Sequence, residues 1–139
     1  MESWNIKKIN IGDKLPKLIT EPLTRDILKL YSIASGDHNL IHLDTNYAKK
    51  VGLPNIIAHG MLIMSYLTRL ITNNIEQASI KEIGVKFTSM TNIGDTLTCL
   101  GEIEELTKEN DMNLCKINLK VLNQDKDIKL SGYSIINIL

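Results

Sequence analysis

The sequence has few aromatic residues, few cysteines and no excess of charge of either sign. Aromatic residues make up 4% of the 139 positions, so the core must be built from Ile, Leu, Val and Met. The 16 basic residues balance the 16 acidic ones, and no basic excess attracts a nucleic-acid backbone or an anionic membrane. Cys99 and Cys115 lie apart in strand-like segments, which is typical of reduced core thiols and not of a disulfide framework.

Long apolar runs are also missing from the sequence. No stretch is long enough to span a bilayer, and the first residues lack the apolar run of a signal peptide. We therefore expect a cytoplasmic protein that binds neither nucleic acid nor membrane. A chain of 139 residues with a hydrophobic share of 43% fits one domain with one core.

The first half of the chain carries helical periodicity. Residues 23–35 predict an amphipathic helix, with Thr20 or Thr24 available to cap its start and Gly36 placed to end it. Its apolar face is predicted to hold Leu23, Ile27, Leu30, Tyr31 and Ala34. A short helix is predicted around residues 45–50.

Outside these helices the apolar pattern has a period of two, which predicts strands. Ile9 and Ile11 give a weak strand signal before a turn at Gly12-Asp13. Four longer strands are predicted after Ile80, separated by polar turns. Their apolar residues are Ile83, Val85 and Phe87, then Leu97, Cys99 and Ile103, then Cys115, Ile117, Leu119 and Val121, and last Ile128, Leu130, Ile136 and Ile138.

A second long helix is predicted over Met61–Asn74. Its first residues, Met61 to Met64, are all apolar, and a helix that is apolar all round is normally buried on every side. Strands with one apolar face must bury that face against another layer. We therefore predict an α+β fold in which an antiparallel sheet wraps around this central helix.

The segment Ser35–Asp44 combines residue types that perform acid–base chemistry. Asp37 and His42 are five positions apart in a non-helical stretch that follows the first helix. A carboxylate and an imidazole held close together can act on one water molecule, because one takes its proton while the other exchanges a proton with the neighbouring atom. Histidine titrates near neutral pH and can fill either role. The spacing therefore suggests an acid–base pair.

A glycine precedes the predicted central helix. The first backbone N–H groups of a helix lack internal partners, and the helix dipole there favours negative charge. Gly60 lets a ligand approach this backbone closely. An oxygen that gains negative charge, such as a thioester carbonyl becoming an enolate, would be stabilised at this position.

These segments resemble the MaoC-like, (R)-specific enoyl-CoA hydratase family, also called hydratase 2. The resemblance is carried by residues 34–44 (ASGDHNLIHLD), by Ala48 and by residues 57–62 (IAHGML). Val85-Lys86-Phe87 and Ile93–Leu97 are also similar to the family. The resemblance implies a single hot dog domain over residues 1–139.

The resemblance also implies a role for each matching residue. Asp37 and His42 correspond to the catalytic pair that orients and activates water, and Asn39 corresponds to a residue that fixes the catalytic loop. Gly60 corresponds to the backbone donor to the thioester oxygen. Thr68 falls where some members carry a hydroxyl residue near the active site.

The implied reaction is the reversible addition of water across a trans-2-enoyl thioester, which gives the (R)-3-hydroxyacyl thioester. Coenzyme A or acyl carrier protein enters as part of the substrate, and no separate cofactor is expected. Members of the family are usually dimers of hot dog domains, or carry two such domains in one longer chain. This chain has room for only one domain, so the resemblance implies a homodimer. Leu40 and Thr45 stand where the family commonly has prolines, which removes rigidity from the loop but no reacting group.

A metal site is the first alternative interpretation of these residues. His38, His42, Asp44 and His59 are residue types that bind zinc or iron. Their spacing matches no compact ligand signature, so no metal is predicted. His59 is instead expected to position the loop before the central helix.

Two other functions remain open for the same fold. Hot dog proteins include thioesterases, which typically place their carboxylate differently from Asp37. The chain is alternatively a non-catalytic or partner subunit of a heterodimeric acyl dehydratase, although such a subunit would not need both Asp37 and His42. Taken alone, Asp37 would be a helix-terminal or turn residue, and His42 a surface or satisfied core histidine.

Overall fold

The computed structural model describes residues 4–138 of the chain. The helices are α1 (Arg25–Ser35), α2 (Thr45–Lys50) and α3 (Gly60–Thr72). The strands are β1 (Leu18–Ile19), β2 (Ile80–Phe87), β3 (Thr98–Glu109), β4 (Met112–Leu122) and β5 (Ile128–Ile138). Short 3-10 turns lie at Ile6–Lys8, Leu40–His42 and Gln77–Ser79.

The strands form one antiparallel sheet in the order β1-β3-β4-β5-β2. The turn between β3 and β4 is made by Asn110 and Asp111, whose φ angles are 49° and 64°. Such left-handed pairs suit two-residue hairpin loops, because their twist matches that of the flanking strands. β2 pairs with β5, so β2 and the short β1 are the two edges of the sheet.

The core lies between α3 and one face of the sheet. α3 contacts β1, β3 and β4, and its buried residues are Leu62, Ile63, Leu67, Leu70 and Ile71. The strand residues in the same cluster include Cys99, Ile117, Leu119, Val121, Leu130 and Ile136. The period of two in the sequence thus turns one face of each long strand toward the helix. This arrangement confirms the predicted α+β class and the hot dog fold that the resemblance implied.

The structure corrects the predicted burial of both long helices. α3 is not buried on every side, because Met61 is 56% exposed and Arg69 is also exposed. The predicted apolar face of α1 was right for Leu23, Ile27 and Tyr31, which are buried or packed against the core. It was wrong for Leu30 and Ala34, which are exposed, while Leu28 and Ser32 are buried instead. The reason is that Ser32, a polar residue, belongs to the buried face of α1, and hydrophobicity alone cannot assign it there.

The early strand was also placed wrongly. Ile11 is 64% exposed in a turn, and the edge strand is instead Leu18–Ile19, which pairs with β3. The preceding segment does run along β3, because Gly12 N–H donates to Ile103 O at 2.8 Å and Leu15 N–H to Gly101 O at 3.0 Å. These bonds are too irregular to make a strand of residues 9–11, although the turn at Gly12 is confirmed.

Both cysteines are free and buried, as the sequence predicted. Burial raises the pKa of the Cys99 thiol to about 12 and that of Cys115 to about 11. Thiols with such pKa values stay protonated near neutral pH and are poor nucleophiles. Cys99 and Cys115 therefore act as small core residues. None of the helices in residues 4–138 has the length and apolarity needed to cross a membrane.

Replacement of Gly132 by Ala is expected to destabilise the sheet. A Cβ at this position would overlap the carbonyl oxygen of Gly84 and approach Val85 Cα to 3.0 Å. Because both neighbours are backbone atoms of β2, the strands must separate, and we expect a loss of about 1–3 kcal/mol or more in the free energy of unfolding. Urea denaturation measures this loss. Ser131→Ala, one residue away, is the control, and equal stability of the two variants would contradict the prediction.

Candidate active site

The end of α1 places Asp37 in the site. Thr24 caps the start of the helix by accepting a hydrogen bond from Ile27 N–H, which decides between the two predicted caps. Gly36 ends the helix in the left-handed conformation, with φ of 79°, and its N–H donates to Ser32 O. This conformation costs glycine little, and it lets the chain leave the helix abruptly. Asp37 therefore begins a new segment directly after the turn.

A set of local hydrogen bonds holds the loop that carries Asp37. The Asp37 N–H donates to Ser35 Oγ at 3.2 Å, and Asp37 Oδ1 accepts from Asn39 N–H at 3.2 Å. The side chain of Asn39 accepts from Ile41 N–H at 3.2 Å and so caps the 3-10 turn that contains His42. Asn39 thus has the contacts that its expected role in fixing the loop requires.

His42 is buried and points one ring nitrogen at Asp37. Its Nδ1 lies 2.8 Å from the carbonyl oxygen of Ile57. A carbonyl oxygen only accepts hydrogen bonds, so Nδ1 carries a proton and, in the neutral ring, Nε2 is left as the acceptor. Nε2 lies 3.9 Å from Asp37 Oδ2, which is too far for a direct hydrogen bond. The two groups are therefore placed to act on a third group between them.

His59 stacks on His42 and ties three elements together. The ring centroids of the two histidines are 3.8 Å apart with an interplanar angle of 24°, and Tyr31 packs edge-on against His59. His59 Nε2 lies 2.9 Å from Ser32 Oγ and 3.2 Å from the carbonyl oxygen of Asp37. The contact to the carbonyl assigns the proton of neutral His59 to Nε2. His59 therefore joins α1 to the loop that carries Asp37 and to the start of α3.

Gly60 opens α3 at a cleft that it shares with His42. The cleft has a volume of about 390 Å³ and is lined by His42, Ile57, Ala58, Gly60, Ile63, Phe87, Thr88, Ser89, Met90, Thr91 and Lys129. His59, the residue before α3, gives no side-chain cap to the helix. A Cβ on Gly60 would lie 3.0 Å from the Phe87 ring. Glycine therefore keeps the first N–H of α3 accessible beside Phe87.

Thr45 forms tertiary hydrogen bonds at a position where the family that the sequence resembles commonly has proline. Its hydroxyl accepts a hydrogen bond from Arg25 and donates to Asn55 Oδ1 at 3.0 Å, while Asn55 Oδ1 also accepts from Ile56 N–H at 2.7 Å. These bonds connect the start of α1, the start of α2 and the segment that leads to Ile57. The loop thus gains tertiary hydrogen bonds at the position where proline would have restricted φ.

The sequence matches the MaoC like domain family over residues 7–124. The chain belongs to this family. A mitochondrial 3-hydroxyacyl-(acyl-carrier-protein) dehydratase of Arabidopsis thaliana is 27% identical over 86% of this chain and 71% of its own length. The peroxisomal Enoyl-CoA hydratase 2 of Arabidopsis thaliana is 27% identical over 64% of this chain and 30% of its own length.

Solved structures agree with the family assignment. R-Hydratase PhaJ1 from Pseudomonas aeruginosa in the unliganded form has a TM-score of 0.81 against this chain. It is 25% identical, and the superposition covers 94% of this chain and 83% of that one. Membership of the MaoC like domain family makes this chain a hydratase or dehydratase by class.

Not every residue selected from the sequence lies at the site of this MaoC like domain. Asp37, His42, His59 and the loop residue Asn39 come together, and Gly60 lines the adjoining cleft. Thr68 lies two turns further along α3, where its hydroxyl donates to Ser65 O at 2.8 Å, and it is absent from the residues that line the cleft.

The potential metal ligands that lie together in the structure differ from the set considered in the sequence. Asp37, His42 and His59 have ligand atoms within 4.8 Å of one another. Asp44 instead caps α2 by accepting from Tyr47 N–H, and His38 is exposed. His59 Nε2 is committed to the Asp37 carbonyl, and a metal would have to displace that contact. The absence of a metal stays a prediction.

Sequence reasoning missed three contributors to the site. Ser32 is fully enclosed beside His59, Tyr31 packs on the same ring, and Lys129 lines the cleft. Ser32 was detectable in principle, because it lies four residues after Leu28 and shares its helix face. Lys129 had no signal in the sequence, since a lysine at the start of a strand is ordinarily solvated.

The pKa of His59 gives the stability of this domain a pH dependence. Burial and the neighbouring His42 lower the pKa of His59 below 6.5. The hydrogen bond to the Asp37 carbonyl and the negative charge of the Asp37 side chain raise this pKa, but by less. The unfolded chain then binds the proton more tightly, so the stability that neutral His59 provides is present above about pH 6.5 and is lost as pH falls through the lower folded pKa.

His59→Gln is therefore expected to flatten the pH dependence. The wild-type chain should lose free energy of unfolding between about pH 7.5 and about pH 5.5, and the variant should lose less over that range. Urea denaturation at the two pH values measures both losses. His38→Gln, which removes an exposed histidine, should behave like the wild type, and an unchanged loss in His59→Gln would refute the assignment.

Proposed function

We propose that this chain hydrates trans-2-enoyl thioesters to (R)-3-hydroxyacyl thioesters and catalyses the reverse dehydration. The observation that carries the proposal is the placement of Asp37 Oδ2 opposite His42 Nε2, 3.9 Å apart, beside a cleft that contains Gly60. The family class, a hydratase or dehydratase, supports the same reaction. The names of the two Arabidopsis thaliana relatives include one enzyme of each direction.

The geometry supports a simple course for the hydration. A water molecule between Asp37 and His42 gives up a proton to the pair as its hydroxyl adds to C3 of the enoyl group. Negative charge moves to the thioester oxygen, where the N–H of Gly60 would stabilise it. The same pair returns a proton to C2, so one water is consumed and the pair is restored. Dehydration follows these steps in reverse.

We propose coenzyme A as a carrier that the site accepts and (R) as the configuration of the product. The resemblance to (R)-specific hydratases supports the configuration, and the relative named Enoyl-CoA hydratase 2 supports the carrier. The test is the loss of the conjugated enoyl absorbance when pure protein meets crotonyl-CoA, with chiral analysis of the product. Formation of (R)-3-hydroxybutyryl-CoA supports the proposal. No reaction with crotonyl-CoA, longer enoyl-CoA or enoyl-carrier substrates would refute it.

We also propose that two copies of the chain form a homodimer. β2 is an edge strand of the sheet, and Met61, Phe87 and Met90 near the cleft are each at least half exposed. An open edge and clustered apolar side chains favour association with another chain. Light scattering on the purified protein tests the proposal. A stable dimer supports it, whereas a monomer or an unstable chain would favour the partner-subunit interpretation.

A further inference from the structure

Lys129 is a buried lysine that has no carboxylate partner within residues 4–138. It is only 6% exposed, and its ammonium donates to the carbonyl oxygen of Met90 at 2.9 Å. Within residues 4–138, the basic groups that lie within 4.0 Å of a carboxylate are His42, beside Asp37, and Lys116, beside Glu104. Lys129 is not among them. An ammonium has three donors, so the bond to Met90 leaves two of them available. Lysine is seldom buried unless it is paired, because desolvation of a charge is costly.

A β-bulge explains why this lysine is buried. In the register between β4 and β5, Val121 lies opposite Leu130 and Leu122 lies opposite Ile128, so Lys129 faces no residue of β4. Regular alternation would point Lys129 and Leu130 to opposite faces, yet both are buried. Bulges redirect side chains in this way and are enriched beside active sites. The strand irregularity thus turns the ammonium inward instead of leaving it in solvent.

The cleft into which Lys129 turns is the one that holds the proposed chemistry. Lys129, His42 and Gly60 line the same cleft of about 390 Å³. Thr88 and Ser89, which also line it, both donate their hydroxyl protons to Ile128 O, at 2.7 and 2.8 Å. These bonds fix the segment around the ammonium. The bond to Met90 O therefore holds the ammonium at the cleft that His42 and Gly60 also line.

We propose that the Lys129 ammonium binds an anionic oxygen group of the substrate, which is a carboxylate on the acyl chain or a phosphate of the carrier. The proposal rests on the proposed function only in taking the ligand to be an acyl thioester. A carboxylate close to the reacting carbons fits the small shared cleft, whereas a phosphate is separated from the thioester by the whole pantetheine arm. Charge-assisted hydrogen bonds to the two remaining donors would offset the desolvation of the lysine.

The test compares the binding of saturated thioesters, which need no turnover. Succinyl and butyryl groups have equal chain length and differ in a terminal carboxylate, and each is attached to coenzyme A and to N-acetylcysteamine, which lacks phosphate. Calorimetry gives the Kd of each probe for the wild type and for Lys129→Met. Loss of charge-assisted bonds is expected to weaken binding of the recognised probe about 10- to 100-fold.

The four probes distinguish the two sources of negative charge. If the acyl carboxylate is the ligand, the wild type prefers succinyl over butyryl on both carriers, and Lys129→Met removes that preference. If the carrier phosphate is the ligand, Lys129→Met weakens both coenzyme A thioesters and neither N-acetylcysteamine thioester. Equal affinities in wild type and variant, or equal losses for all four probes, would overturn the proposal and leave Lys129 as a support for Met90.

Matched variants separate charge recognition from folding. Lys129→Arg should retain the selectivity because it keeps the charge, and Lys120→Met, at an exposed lysine of β4, should bind every probe as the wild type does. Lys129→Gln keeps a donor for Met90 O and serves if Lys129→Met does not fold. A chain that hydrates no enoyl thioester, with or without an acyl carboxylate, but shows the Lys129-dependent preference would refute the hydratase and keep the anion site. A chain that hydrates enoyl thioesters but lacks the Lys129-dependent preference would support the hydratase and refute the anion site.

Discussion

Asp37→Asn is expected to lower the rate of crotonyl-CoA hydration by about 10²- to 10⁴-fold, the range typical for loss of an acid–base group. The amide has the shape of the carboxylate, and its oxygen can still accept from Asn39 N–H, which Asp37 Oδ1 does at 3.2 Å. It cannot take up a proton at neutral pH. The variant should therefore fold like the wild type and bind substrate while losing kcat. Steady-state kinetics with urea denaturation measures both properties.

Asp44→Asn is the matched control for this loss. Asp44 is the other acidic residue of the motif segment, and it caps α2 by accepting from Tyr47 N–H at 3.0 Å. Asparagine caps a helix about as well as aspartate does, so stability and rate should both remain close to those of the wild type. An intact rate in Asp37→Asn would remove Asp37 from the mechanism, and a large loss in Asp44→Asn would show that any change in this segment is damaging.

His42→Asn is expected to have the second large effect, also of about 10²- to 10⁴-fold on the hydration rate. The Asn amide N–H can take the place of Nδ1–H, which donates to Ile57 O at 2.8 Å. Nothing replaces Nε2, which faces Asp37 Oδ2 at 3.9 Å. The substitution thus keeps the structural bond and removes the nitrogen that we propose exchanges protons with the substrate. Loss of kcat with retained binding of butyryl-CoA is the expected pattern.

His38→Gln provides the control for His42→Asn. His38 is an exposed histidine in the same loop, so its replacement should leave the rate within a few-fold of the wild type. The pair of variants separates a specific need for His42 from a general need for histidine in this segment. A His42→Asn variant with the wild-type rate would show that Asp37 acts without an imidazole partner.

The predicted elements that depend on local pattern were largely confirmed. A period of two predicted the four long strands, and most of their apolar residues do belong to the core, because pleating alone sends alternate side chains to opposite faces. Phe87 and Ile128 are exposed instead. The central helix was predicted over Met61–Asn74 and observed over Gly60–Thr72. Local signals also predicted the end of α1 at Gly36, since a left-handed residue there is favourable for glycine.

Elements that depend on a distant partner were missed or misplaced. β1 exists only because Leu18 and Ile19 find the edge of β3, far along the chain. The buried face of α1 was predicted only in part, because Ser32 belongs to it through its contact with His59, a residue of another segment. A two-residue strand and a buried serine carry too little hydrophobicity for the apolar pattern to predict them.

The sequence by itself determined the chemistry that this chain offers. Asp37 supplies a carboxylate, Asn39 a cap and His42 an imidazole, and Gly60 stands at a helix start whose N–H groups lack internal partners. Each of these properties belongs to the residue type and its neighbours in the sequence. Tertiary structure alone decided the environment of that chemistry: the stacking of His59 on His42, and the bulge that turns Lys129 into the cleft. Those features arise from contacts between segments distant in the chain, which no local pattern of residues can encode.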